Sequence, residues 1–379
     1  MKIVIAPNAF KGSLSAADAA EAMAMGAGRA CPEAEIVLVP VADGGDGLVD
    51  VAVRAMGGER RRVTVSGPRR QPVEAEICHV ASERVVAVEM ALASGLALLS
   101  ETERDPTLTT TFGTGELIRA ALDLGATRIV VGIGGSATND GGIGMAEALG
   151  IRFLDAAGTA LPGIGASLAA VADIDMSGLD PRIRAATIEV VCDVDNPLCG
   201  PNGAACIYGP QKGATPEQAA SLDQGLTNLA GVINERLGVD VIDMPGAGAA
   251  GGLGAGLHAF LGASLRKGID VIIGLVGLRE KLDHADLVLT GEGRIDEQTA
   301  FGKAPAGVAA EARKRGIPCL AVAGAVGDSL DALYETGITA VFSLCPAPLT
   351  LNEAMAHAGR YLEMAAEQAV RAFAARRGG

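Results

Sequence analysis

The chain has 379 residues, a formal net charge of −14 and a hydrophobic share of 49%. That length sets two domains as the expectation, and a hydrophobic share this high with no low-complexity tract excludes a disordered chain. The acidic balance argues against nucleic acid and anionic membrane as partners, since both call for basic surface, while a few local cations are enough for a small anionic substrate.

In chain order, only Met1 and Lys2 precede the apolar run IVIAP, which leaves no room for a secretory signal. Short Val- and Ile-rich runs then alternate with Ala-rich segments of helical period, the pattern of an α/β protein with a largely parallel sheet. Strands are predicted at 2–6 and 35–39 with a helix near 16–29 between them. The runs 62–65, 73–79 and 84–89 follow so closely that they predict antiparallel pairing. Further strands are predicted at 128–131 and 188–193. The longest uncharged run, Met244 to Leu265, is long enough for a bilayer, but its seven glycines, Pro245 and His258 argue against a membrane span. From about residue 283 the α/β rhythm returns, with strands at 286–290, 318–323 and 340–344 and helices near 303–315 and 352–376. Two parallel strands at the front and three at the back make a flavodoxin-like five-stranded sheet of order 2-1-3-4-5. The expected domains are 1–57 with 283–379, flavodoxin-like and discontinuous, and 58–282, a second α/β domain inserted into it. Two consecutive domains divided near residue 180 are the simpler alternative. The seven cysteines form no C-x-x-C pair and read as reduced, small apolar residues of a cytosolic protein.

The chemistry concentrates in glycine-framed loops. Residues 132–144, GIGGSATNDGGIG, hold six glycines, more than a turn needs given the backbone entropy each one loses. Only seven of 31 basic residues are lysine, yet Lys11, Lys212 and Lys303 each adjoin a glycine in a predicted loop, where lysine can serve as a compact charge for phosphate. Lys267 also precedes a glycine, so adjacency alone is unspecific. Asp43 and Asp46 come from DGGDG. Asp193, Asp195 and Asn196 come from CDVDNP, where a continuing strand would point both carboxylates to one face, fit for Mg²⁺ or for proton transfer. Glu292, Arg294, Asp296 and Gln298 come from GEGRIDEQT, predicted as the loop after the third parallel strand. Gly246, Gly248 and Gly251 match a dinucleotide fingerprint with Asp270 downstream, but the preceding VIDMP is a poor strand and proline abuts the glycines; no Walker motif occurs.

These blocks together, MKIVIAP with FKGSLSA, PVADGGDG, GIGGSATNDGG, CDVDNPLCGPNGA, GPQKGA, PGAGAAGGLGAG and TGEGRIDEQT with GKAP, resemble the type I glycerate kinases over essentially the full chain. The resemblance implies a cytoplasmic enzyme that moves the γ-phosphate of ATP to a hydroxyl of D-glycerate with Mg²⁺, most simply giving 2-phosphoglycerate. It implies as well a flavodoxin-like domain carrying an inserted domain. It departs at Asn8 and Ala9, where the family usually reads Asp-Ser. On this reading Gly134, Gly135, Ser136, Thr138, Asn139, Lys212 and Lys303 bind the nucleotide, the glycine tract letting backbone N–H groups at the following helix start face phosphate. Lys11 and Arg294 supply cationic stabilisation; Asp195 is assigned as the base and Asp193 to the metal, with the exchanged roles, or a catalytic role for Asp296, as the open alternatives. Asp43, Gly44, Gly45, Asn196 and Glu292 bind the sugar acid. The loops 8–13, 43–47 and 291–298 are expected to meet at one sheet edge facing 134–141 and 193–196. Small molecules are the expected partners, and a homo-oligomer is compatible with the chain. The competing readings are a catalytically silent sugar-acid-binding regulator and a dinucleotide-dependent oxidoreductase.

Overall fold

The computed structural model describes residues 1–42, 47–300 and 302–375. Its strands in chain order are β1 Lys2–Ile5, β2 Glu35–Leu38, β3 Glu59–Ser66, β4 Pro72–Val80, β5 Val85–Glu89, β6 Arg128–Gly132, β7 Arg152–Leu154, β8 Ala160–Leu161, β9 Asp173–Asp175, β10 Thr187–Val191, β11 Ser264–Arg266, β12 Leu287–Ile295, β13 Cys319–Val326 and β14 Ile338–Ser343. The chain divides into two compact units: one holds the two ends of the chain and resumes at Ile269, the other holds the middle and ends at Gly268.

In the first unit five parallel strands stand in the order β14-β13-β12-β1-β2, the 2-1-3-4-5 arrangement that the spacing of apolar runs predicts. β1 suits an interior place between β12 and β2 because both its faces are apolar: Ile3, Val4 and Ile5 are wholly buried. The helix Ala16–Ala30 starts at Ser15, whose hydroxyl accepts from the Asp18 N–H, and lays an alanine-rich face on the helix Ala358–Ala375. The two backbones nearly touch at Gly26, where a Cβ would lie 2.1 Å from the Glu363 carbonyl oxygen, and Arg29 closes the pair through Glu363 and Glu367. The helix predicted over 352–376 is two helices, Leu351–Ala356 and Ala358–Ala375, broken at His357.

In the second unit six strands run β11-β10-β6-β5-β4-β3. The four from β11 to β5 are parallel and β4 and β3 are antiparallel, as the close spacing of 62–65, 73–79 and 84–89 predicts. A small sheet, β8-β7-β9, completes the described strands. One continuous core, with Ile129, Val131, Leu226, Leu253 and Phe260 among its buried members, fills this unit.

Two sequence expectations need correction. GEGRI is not a loop: β12 runs on to Ile295 and pairs with β13 as far as Val326. The glycines there serve close strand packing, since a Cβ on Gly291 would lie 2.2 Å from the Val322 carbonyl oxygen. The strand predicted through Asp193 instead ends at Val191. Cys192 N–H still donates to the Arg266 carbonyl, but Pro197 has no N–H to continue a ladder, and the segment turns toward Leu198, which donates to Ile242. No strand precedes the 246–251 glycines, so the dinucleotide fingerprint lacks its βα frame. Most of the uncharged run 244–265 is the buried helix Ala249–Leu261, and among the described residues no helix is long and apolar enough to cross a membrane.

Candidate active site

The 132–144 tract finds its partner in the second glycine tract. Gly141 and Gly142 adopt left-handed backbone with φ of 62° and 78°. Gly141 N–H donates to the Gly251 carbonyl at 3.0 Å, and a Cβ on Gly251 would lie 2.0 Å from the Thr138 carbonyl oxygen. Much of the glycine therefore lets two backbones pack face to face.

The start of the helix Ile143–Ala148 is already filled from within. The Asp140 carboxylate, wholly buried, accepts from the N–H groups of Thr111 at 2.7 Å, Gly142 at 3.1 Å and Gly144 at 3.3 Å, and from the Thr111 hydroxyl at 2.8 Å. Burial pushes its pKa up, and those donors pull it partly back. Thr138 and Asn139 also lie wholly inside rather than on the open side of the loop. The Thr138 hydroxyl and both ends of the Asn139 amide have no hydrogen-bond partner. Lys212, 1% exposed, donates its Nζ to the Thr138 carbonyl at 2.7 Å. Burial lowers its ammonium to about 7, with Asp140 pulling the other way.

The open side of the same loop lines a pocket of about 240 Å³. Gly134, Gly135 and Ser136 enter it after β6, and Asp193 and Val194 after β10, so it lies beyond the carboxyl ends of two adjacent parallel strands, the usual ligand position in such sheets. Leu96, Ile133, Val191, Cys192, Tyr208, Gln211, Lys212, Ala249 and Ala250 contribute the rest of the wall. Asp193 is exposed, with one carboxylate oxygen accepting from Gly268 N–H at 2.7 Å. Asp195 is exposed and does not line the pocket. Asn196 is engaged at both ends, its oxygen accepting from the Tyr208 hydroxyl at 2.7 Å and its Nδ2 donating to the Asn202 carbonyl at 2.9 Å.

The first unit gathers a second group. Arg294, Asp296 and Lys303 line an open depression of about 580 Å³ with Gly327, Asp328 and Ser329. Arg294 Nε meets the Asp296 carboxylate at 2.8 Å. That bond, aided by Lys303, holds the Asp296 carboxyl below its ordinary range, so it is a carboxylate at neutral pH and a weak base. Glu292 is buried and accepts from the Thr299 hydroxyl at 2.9 Å. Lys11 is exposed on the turn closed by the Phe10–Leu14 bridge; its backbone lies beside Gly293, although Lys11 does not line the depression. Asn8, at the position of the family's usual aspartate, is buried and its Oδ1 accepts from Ala9 N–H. Asp43, Gly44 and Gly45 lie outside the described residues.

Several residues of these groups carry no sequence signal. Leu96 is placed by its N–H on the Gly135 carbonyl and by the Gly95–Ser136 bridge, contacts between segments forty residues apart. Tyr208 and Gln211 sit in an ordinary-looking stretch before Lys212, and Asp140, inside the glycine tract, is the one omission that a buried helix-start carboxylate could have flagged. Among the described residues no three His, Cys, Asp or Glu side chains gather into a metal-binding cluster.

The glycerate kinase family model matches residues 3–374. A glycerate kinase of Halalkalibacterium halodurans is 49% identical over 96% of both chains. A glycerate 2-kinase of Escherichia coli K12 is 49% identical over 93% of both. A crystal structure of a Salmonella typhimurium LT2 protein proposed to be glycerate kinase 2 superposes with a TM-score of 0.92 at 47% identity, covering 100% of each chain. With a family match across nearly its whole length and relatives this similar over more than nine-tenths of theirs, the chain belongs to the glycerate kinase family.

Proposed function

We propose that the protein transfers the γ-phosphate of ATP to a hydroxyl of D-glycerate, with 2-phosphoglycerate as product. The observation that carries this reading is the pocket beyond β6 and β10: it places an exposed carboxylate, Asp193, beside the open face of a glycine loop. Mg²⁺ bound with a nucleotide takes one or two protein carboxylates and fills its other positions from phosphates and water, so Asp193 suits it without a protein cage. The ion would neutralise charge on the phosphates. Gly134, Gly135 and Ser136 border the nucleotide, and Lys212 fixes the loop from below through the Thr138 carbonyl.

In the first unit Arg294 and Lys11 offset charge on the transferring phosphoryl group, with Lys303 beside Arg294. Asp296 is assigned to hold Arg294 in orientation, since a carboxylate held below its ordinary range takes up a proton poorly. Asp195, exposed on the loop between Val191 and Leu198, is the base for the glycerate hydroxyl. Asp43, Gly44, Gly45, Asn196 and Glu292 are assigned to the sugar acid.

Phosphorus NMR of the product from ATP and D-glycerate tests the reading. A resonance coupled to the C2 proton is expected. A phosphate on C3 would overturn the product assignment, and no ATP-dependent phosphorylation would overturn the reading itself.

A further inference from the structure

We infer that the pocket beside Leu96 and Ala250 in the second unit is the subsite for the purine ring of the nucleotide, an inference that rests on the kinase reading above. Its volume, about 240 Å³, is below the ~300–1,000 Å³ of sites that enclose a whole drug-sized ligand. A flat bicyclic ring fits that space, with ribose and phosphates outside it.

The lining favours a ring over an anion. Leu96, Ile133, Val191 and Ala249 give apolar surface for the faces of a heterocycle, and the Gln211 amide offers both a donor and an acceptor to its edge. Lys212, the one cation among the described residues of the lining, has its Nζ committed to the Thr138 carbonyl, and its lowered pKa leaves it only partly charged near neutrality. The walls are also tied to one another. Leu96 N–H donates to the Gly135 carbonyl at 2.9 Å, and the Tyr208 hydroxyl donates to Asn196, so the slot exists before a ligand arrives and little ordering is needed on binding.

Leu96→Trp fills the slot, and because the chain has no tryptophan the variant also reports its own folding by emission. With steady-state kinetics on the full chain, the KM for ATP should rise about tenfold or more while the KM for glycerate changes by less than about twofold, as loss of one well-packed contact region does. Equilibrium dialysis should show adenosine retained by the wild type and released by the variant, with inorganic tripolyphosphate bound alike by both. A rise in the KM for glycerate alone, or equal loss of tripolyphosphate and adenosine, would overturn the subsite. Should the wild type fail to phosphorylate glycerate, dialysis still decides: adenosine retained by the wild type and lost in the variant upholds the subsite, and no retention rejects it. If Leu96→Trp does not fold, Gln211→Ala, exposed at the rim, should weaken adenosine binding by about threefold or more; unchanged adenosine binding rejects the assignment.

Discussion

Lys212 keeps an ammonium where water does not reach, and its consequences are measurable in pH. Its folded pKa stands at about 7 against an ordinary 10.5. Between those values the unfolded chain holds a proton that the folded chain has shed, so this group makes stability rise with pH, by up to ~1.4 kcal/mol per pH unit. Below about 7 both states are protonated and the burial cost is felt in full. Lys212→Met cannot titrate, so the melting-temperature gap between wild type and variant should move in favour of the wild type from about pH 6 to about pH 9. A gap independent of pH would reject the buried-amine assignment. The exposed cations make a different case. Lys11→Ala and Arg294→Ala should each lower kcat by about 10²-fold or more if they offset charge in the transition state. Lys314 pairs with Glu311, which Arg279 and Arg315 also reach, so Lys314→Ala should stay near wild type in kcat and cost no more than ~1 kcal/mol in stability. Steady-state kinetics on the three variants check the assignment, and equal loss in all three would refute it.

The elements show where a sequence can and cannot be read. Each strand predicted from Val- and Ile-rich runs exists, because β-branched residues on two buried faces leave the chain few other ways to bury them. Glycine misled in β12. A glycine that lets two strands approach and a glycine that turns the chain look alike in sequence, and only the Val322 carbonyl oxygen beside Gly291 tells them apart. The same ambiguity hid the pairing of the two glycine tracts, which are over a hundred residues apart. The candidate site was legible in its composition, with Asp193, Lys212, Arg294 and Lys303 all named from loop chemistry. Its inward or outward orientation was not: Thr138 and Asn139 point into the core, and Leu96 reaches the pocket through long-range backbone bonds. Two glycines test this view. Gly251→Ala would place its Cβ 2.0 Å from the Thr138 carbonyl at a φ of 71°, and should cost about 3 kcal/mol or more. Gly231 sits inside the helix Pro216–Leu237 with nothing within 4 Å of its would-be Cβ, so Gly231→Ala should gain about 0.5–1 kcal/mol. Thermal melts of both variants check the pair, and similar shifts in the two would contradict it.

At the scale of the whole molecule the decisive feature is that one unit is written chiefly in two widely separated stretches of chain. β1 is an interior strand of its sheet, yet its neighbour β12, the central strand, is made almost three hundred residues later; the Thr290 hydroxyl that donates to the Ala6 carbonyl spans 284 positions. The middle unit has no such debt, since its parallel strands β5 and β6 are neighbours in sequence as well as in space. Closing a long loop costs entropy before any contact repays it, and non-local pairing is slow for that reason. Pulse-labelled hydrogen exchange during refolding should therefore protect Val88 and Val130 before Val4 and Leu289; simultaneous protection of all four would reject the order. On a ribosome the same geometry becomes a matter of waiting time. At about 5–20 residues per second, the apolar KIVI strand is made tens of seconds before its β12 partner, an interval in which that strand depends on something other than its own sheet to stay out of trouble.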